Sequence, residues 1–403
     1  MNSDLSANIW KYCLILIANK RIFVAILGAY YLTVPDVTAN TIGIILMIGS
    51  LTTFLFEIPS GYLADKFGHK QAIVLSRVFM LIATSLFLIS NSVTLLIIAS
   101  IFFSASFAFF SGTGSAFMHD TLRALGREDD YAQVMGKISS IGFAVPIVFM
   151  VTVPFLVSIS WKLPFIISMI TDTIGLVAAL LLKVPPVEQI HVDEVRATNF
   201  TAVIKEGWRL NFFSIVLFTG TLSGLLFAVG GFRAAYQTLL EIPVIWFGVL
   251  FGLGRAGASL LLAYSGKLKK YFNLLSFFRF QTILFGILIL LLAFTTNWIL
   301  VVIIFILINA FQWGFSQIDE GYRLSIIRQS KFKATLLSVG SQFKALVDGM
   351  AALGLGYLIH KTSYHEGFFW IGIIFIISLT FLYFYIAKKY HAGYYGGITN
   401  SKL

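Results

Sequence analysis

Cysteine, proline and charge are all scarce in this 403-residue chain, which has one cysteine, eight prolines and 12% charged residues. Each shortage excludes something. The single thiol, Cys13, forms no internal disulfide and offers no cysteine-rich metal site. A soluble domain carries about twice this share of charge, so a water-soluble globule is excluded. No Gly-x-x-x-x-Gly-Lys stretch is present to cradle ATP phosphates, so ATP is not the expected energy source. The histidines, His69, His119, His191, His360, His365 and His391, show neither metal-ligand nor catalytic spacing; His119 beside Asp120 is the nearest approach. No enzyme activity, metal or cofactor is expected.

Apolar length is what the chain has in quantity. It is 58% hydrophobic with a mean hydropathy of +0.89. Runs of about 20 residues, enough to cross a hydrocarbon layer, recur from end to end. They read as about twelve spans: 9–33, 39–62, 70–90, 94–122, 135–158, 162–183, 209–238, 244–268, 272–294, 298–326, 332–359 and 366–388. The fold class is therefore an all-α membrane protein. The first apolar run is long, interrupted by charge and without a small-residue cleavage site, so it is expected to stay in the mature chain.

The formal net charge of +11 would suit a polyanion partner, but its placement argues for topology. With a cytoplasmic N-terminus, the inner loops collect basic residues from Lys66 and Lys70 through Arg123 and Lys205 to Lys388 and Lys389. The outer loops hold Lys162 and Lys361. That bias is the positive-inside pattern. Both termini are expected in the cytoplasm of a plasma (inner) membrane, with lipids and no nucleic acid as partners.

Shifting the sequence by 205 positions lays Thr41–Lys70 on Trp246–Leu275. Gly43 meets Gly248, Gly49 meets Gly254, Gly61 meets Gly266, and Tyr31 falls on Tyr236. Between the copies lies a polar segment opening with Pro185-Pro186. The expected plan is one six-helix bundle over 1–183, a cytoplasmic linker over 184–208 and a second bundle over 209–403.

One stretch carries more than the rest. Glu57-Ile-Pro-Ser-Gly61-Tyr-Leu-Ala-Asp65-Lys-Phe-Gly68-His-Lys70 is a short charged turn between two apolar runs. It resembles the signature loop of the major facilitator superfamily, the large family of secondary transporters. The resemblance covers nearly the whole chain and implies two bundles related by parallel repeats. It also implies a conformational latch built from Gly61, Asp65, Gly68, His69, Lys70 and Asp120, with His69 standing where the family usually has arginine. Lys70 or Arg77 is then the alternative fixed charge. A histidine there would make the latch pH-sensitive; the plainer reading is a solvated loop side chain. Glu57 has two readings, proton binding or a structural acid beside a helix that Pro59 ends. The fourth span has no arginine and the fifth no Gly-Pro pair, so a standard multidrug antiporter is not indicated.

Ionisable groups within spans cost about 2.5–3.5 kcal/mol each on insertion scales, so each needs a reason. They are Lys20, Arg21, Asp172, Arg233, Arg255, Arg279, Asp319, Glu320, Lys344 and Asp348. The resemblance implies a cavity lined by the first, fourth, seventh and tenth helices. Lys20, Arg21, Arg233, Tyr236, Gln237, Arg255 and Gln312 are the candidate substrate contacts, and Gln317 and Gln342 add uncharged polar groups. Several cations in one cavity suit a solute with an anionic part; internal pairing with Asp319 or Asp348 is the alternative. Lys344 and Asp348 are one helical turn apart, and a buried carboxylate beside a removable partner suits a proton carrier. Asp348 leads the coupling candidates, followed by Lys344, Glu320 and Asp319; Glu320 and Asp319 also have Arg323 within reach. Asp172 and Arg279 read as structural.

The expected function is a proton-coupled exporter of a small organic solute with an anionic part, a monomer working by alternating access. The alternative is a proton-coupled importer or a uniporter of an organic anion. Outside that class stand a membrane receptor and a lipid scramblase; a receptor would not need charges scattered through the cores of both halves.

Overall fold

A computed structural model describes residues 2–19, 22–111, 113–186, 200–327, 333–392 and 394. In hydrocarbon every backbone N–H and C=O has to be satisfied within the chain, and among the described residues every regular element is helical. In chain order the helices are α1 (Asn2–Asn19), α2 (Leu27–Tyr31), α3 (Ala39–Phe67), α4 (His69–Ile89), α5 (Val93–Phe110) and α6 (Thr113–Ala124). Then come α7 (Tyr131–Thr152), α8 (Leu163–Leu180), α9 (Phe200–Arg209), α10 (Phe212–Gly231), α11 (Arg233–Leu239) and α12 (Phe247–Ala263). The last six are α13 (Ser265–Tyr271), α14 (Leu274–Phe294), α15 (Trp298–Gly314), α16 (Ser316–Ile326), α17 (Lys333–Lys361) and α18 (Tyr364–His391). Side-chain caps mark several starts: Ser92 accepts from the Leu95 amide, Asn297 from Ile299 and Leu300, and Ser363 from Glu366.

Among the described residues nine helical stretches are long and apolar enough to cross a membrane. The other expected spans, 9–33, 135–158 and 332–359, coincide with α1 and α2, with α7 and with α17. Those helices fall outside that set; α17 carries Ser341, Gln342, Lys344 and Asp348 along its length.

The chain divides into two compact units. The first comprises 1–36, 55–197 and 243–249, and the second 37–54, 198–242 and 250–403. In the first unit α1 packs on α7 and α8, and α4 on α5 and α8. Its core gathers Tyr12, Ile15, Ile73, Phe117 and Met118. Asn8 ties α1 to Lys183 through both its amide atoms, at 2.8 and 2.9 Å. In the second unit α10 packs on α17 and α18, and α14 on α18. The end of the expected linker is also built in here. Val203 of α9 is buried with Phe212, Val216, Ile327 and Leu336, while Arg209 forks onto the Glu206 carboxylate at 2.7 and 2.8 Å.

The charged turn is shorter than its sequence suggests. α3 runs through Pro59 to Phe67, and α4 starts at His69, leaving only Gly68 non-helical. Pro59 therefore does not end the helix. Ser60 Oγ reaches the Glu57 and Ala108 carbonyls at 3.1 and 2.9 Å, anchoring the turn where proline contributes no donor. Gly68 has φ +100°, a conformation that a side chain would strain, so the sharp reversal needs glycine there.

Candidate functional site

Among the described residues, each of the four expected spans that the sequence resemblance placed around a cavity is interrupted, and the span 244–268 also breaks at Tyr264. Residues 22–26 form turns between α1 and α2, α5 stops at Phe110 before α6, α10 stops before Phe232, and α15 stops before Phe315. Interrupted backbone at membrane depth is tolerated where it lines a cavity or is buried in protein. The other long helices, such as α4, α14 and α18, are continuous.

Two of these interruptions flank a ladder of cations and rings inside the second unit. Arg233, the first residue of α11 and buried, lies over the Phe251 ring with its guanidinium 4.5 Å from the centroid. Arg255, one turn after Phe251 on α12, covers the other partners in sequence: its guanidinium is 5.1 Å from Phe251 and 4.2 Å from Trp313. Trp313 meets Phe227 edge-on at 5.6 Å, and the Lys344 ammonium stands 3.7 Å above Phe227. Five helices thus contribute to one line, Arg233–Phe251–Arg255–Trp313–Phe227–Lys344. A desolvated cation on a ring gains about 2 kcal/mol.

Asp348 follows Lys344 by one turn of α17. Its Oδ2 accepts a 2.8 Å hydrogen bond from Ser50 Oγ on α3. The same pair of helices is joined again where Gln342 Nε2 donates to the Phe54 carbonyl at 3.0 Å. α17 is positioned from two sides by glycines. A Cβ on Gly43 of α3 would come 2.6 Å from the Ala352 carbonyl, and one on Gly224 of α10 would come 2.9 Å from the Asp348 nitrogen. Such contacts let helix backbones meet closely, as small residues do in membranes. Gly248, the repeat partner of Gly43, has the matching role in the first unit, against the Met150 carbonyl and Pro154.

Gln237, one turn after Arg233, and Asn309 share a narrow crevice with Arg233, between Leu250, Phe251 and Phe305. Gln312 is on the same helix as Asn309 and next to Trp313. Tyr236 points elsewhere, stacked on Tyr364 at 4.7 Å and edge-on to Phe368 and His365. Lys20 and Arg21 lie outside the described residues.

The remaining candidates separate. Asp319 is buried and accepts from Gln281 Nε2 at 3.0 Å, and Glu320 takes Arg323 at 2.6 Å, so neither joins Asp348. In the first unit Asp120 is buried, with His69 Nε2 and His119 Nδ1 each 3.9 Å from its carboxylate and His119 Nε2 3.3 Å from Glu128. Lys70 is half-buried at the start of α4, and Gly61 faces open space. The backbone of Asp65 is in α3; its side chain lies outside the description. Arg77 is not at the latch. It is fully buried, bonds Asn19 at 2.7 Å and Ser76 at 2.8 Å, and covers Phe110. Asp172 is bonded by Thr84 at 2.6 Å, and Arg279 is exposed.

Broken spans that carry charge into an apolar helical core define a multi-pass membrane protein. The sequence profile of the Major Facilitator Superfamily matches residues 13–318, and the chain belongs to that family. The uncharacterized MFS-type transporter YxaM of Bacillus subtilis (strain 168) is 24% identical over 253 residues, 60% of this chain and 61% of the relative. The match thus spans less than two thirds of that relative's length. The fold is similar to the solved nucleoside transporter NupG, with a TM-score of 0.70, 13% identity, and 97% of this chain and 99% of that one covered. It is also similar to a D-xylose–proton symporter, with a TM-score of 0.66, 13% identity, and coverage of 94% and 96%.

Proposed function

We propose that this protein is a proton-coupled secondary transporter of a small organic solute with an anionic part, working by alternating access between a first bundle, a linker and a second bundle. The observation that carries this is the ladder of Arg233, Arg255 and Lys344 held on rings, with the Ser50-bound carboxylate of Asp348 one turn from its last cation. An anion recruited to the ladder is shared among its three cations. Asp348 is the proton carrier, and Lys344 connects the two events.

The arrangement favours symport over exchange. An anion beside Lys344 offsets that positive charge and makes proton uptake by Asp348 easier. By linkage a proton on Asp348 strengthens anion binding by the same factor. Solute and proton then load together, and an inward proton gradient drives uptake. The export reading has only the signature stretch in its favour. In a plasma membrane with cytoplasmic termini, as the charge bias indicates, uptake would run into the cell.

The test uses proteoliposomes with an imposed pH gradient and a panel of radiolabelled organic acids, alcohols and amines. Uptake of one or more acids, stimulated by external acid and lost in Arg255→Gln, is the expected result. Stimulation of amines or neutral solutes alone would overturn the anionic assignment, and accumulation of acids against inward acid would overturn symport.

A further inference from the structure

Away from the ladder, α14 and α16 meet at a second buried acid whose hydrogen bonding is incomplete. Asp319 is 8% exposed and Gln281 1%, and one 3.0 Å bond joins them, from Gln281 Nε2 to Asp319 Oδ2. The other oxygen of each group, Asp319 Oδ1 and Gln281 Oε1, is buried and has no partner. Both are acceptors, so an ionised Asp319 leaves each unable to satisfy the other, although buried polar groups are almost always satisfied. One proton resolves both. A carboxyl that carries it donates from Oδ1 to Oε1 while Oδ2 still accepts from Nε2, which closes a reciprocal two-bond ring with the carboxamide.

The charges around the acid agree. Arg323 follows Asp319 by one turn of α16, yet its Nη2 donates to Glu320 at 2.6 Å, and its Nε is buried without a partner. Lys269 of α13 stands over the Tyr322 ring, 5.4 Å from the centroid, and the Tyr322 hydroxyl donates to the Phe272 carbonyl at 3.0 Å. α18 brings Tyr390 to Tyr322, while α10 and α15 carry no ionisable side chain. Among the described residues none of these cations bonds Asp319. A bare carboxylate buried in that setting would be costly.

We propose that Asp319 is a second proton-binding site, occupied in this arrangement, and that its proton decides which partner Arg323 takes. With the proton on, Asp319 is ringed with Gln281 and Arg323 stays with Glu320. When the proton leaves to water, the carboxylate repels the Gln281 oxygen and attracts Arg323, whose Nε–H is free to donate to it. Glu320, with its side chain 36% exposed, is left to water. The exchange acts on α16, the helix that follows the interruption at Phe315. This proton does not travel with solute: Asp319 shares no hydrogen-bond partner with Asp348, which is bonded by Ser50. The inference therefore stands or falls apart from the coupling assigned to Asp348.

Infrared difference spectroscopy on the purified full-length protein tests it, because a protonated carboxyl has a carbonyl stretch that a carboxylate lacks. Subtracting the spectrum of Asp319→Asn, in a shared Asp348→Asn background, isolates Asp319. The expected result at neutral pH is a protonated-carboxyl band that is lost reversibly in alkali. Asp319→Asn can form the same ring through its amide, so it should fold and melt at the temperature of the parent. Gln281→Leu should shift the band to higher frequency, since the acid loses its acceptor. Glu320→Gln releases Arg323 and should weaken the band several-fold at neutral pH. Absence of a band from Asp319 at neutral pH overturns the proton site. A band that Gln281→Leu does not shift overturns the ring, and one that Glu320→Gln leaves undiminished overturns the exchange of partners.

Discussion

At the scale of single residues, Arg233, Arg255 and Lys344 lie on rings, whereas Asp172, Asp319 and Asp348 accept from a hydroxyl or an amide. That division makes distinct predictions. Arg255→Lys keeps the charge but loses the flat stack on Trp313, so KM for an anionic substrate should rise several-fold with the maximal rate little changed. Arg255→Gln loses the charge as well and should cost more than tenfold. Thr84→Val removes the hydroxyl that bonds the buried Asp172 carboxylate, costing about 1–3 kcal/mol. It should lower the melting temperature and leave KM alone, as befits a structural acid. The in-span charges themselves were legible, since any charge in an apolar run stands out. Their partners were not. Phe251 sits one turn before Arg255 and was readable as a same-face ring, but Phe227, Trp313 and Ser50 come from other helices, and no local pattern links them. Arg77 was misplaced for the same reason: its position near the signature stretch suggested the latch, and packing between helices buried it beside Asn19.

At the scale of elements, α17 is held by its neighbours in the second unit. α3 and α10 reach it through glycines, so Lys344 and Asp348 are set by backbone contact and not by long side chains. A side chain at Gly43 meets the Ala352 carbonyl, which cannot swing aside. Gly43→Val should therefore part α3 from α17 and cost about 1–3 kcal/mol, read as a lowered melting temperature together with lost transport. Gly61→Ala is the contrast on the same helix. No atom lies within 4 Å of its added methyl, so it should leave stability unchanged or raise it by about 0.5–1 kcal/mol. The 205-residue repeat identified Gly43 and Gly248 as equivalent, and both sit at close backbone contacts. Span positions were legible from apolar length. The interruptions at Phe232 and Phe315 were not, because apolar residues on either side of a break read as one continuous run.

At the scale of the whole molecule, the family and the helical membrane fold were within reach of the sequence, because length, charge bias and the signature stretch all point one way. Direction and coupling depend on which charges share an environment, which only packing decides. The central claim is that a proton on Asp348 and an anion on the ladder travel together. The direct measurement loads proteoliposomes with a pH-sensitive dye, adds a transported organic acid outside without any imposed gradient, and compares wild type with Asp348→Asn. The account predicts prompt internal acidification with wild type. It predicts none with Asp348→Asn, although that variant should still exchange labelled for unlabelled solute. Solute entry without acidification in wild type, or acidification undiminished in the variant, would contradict it.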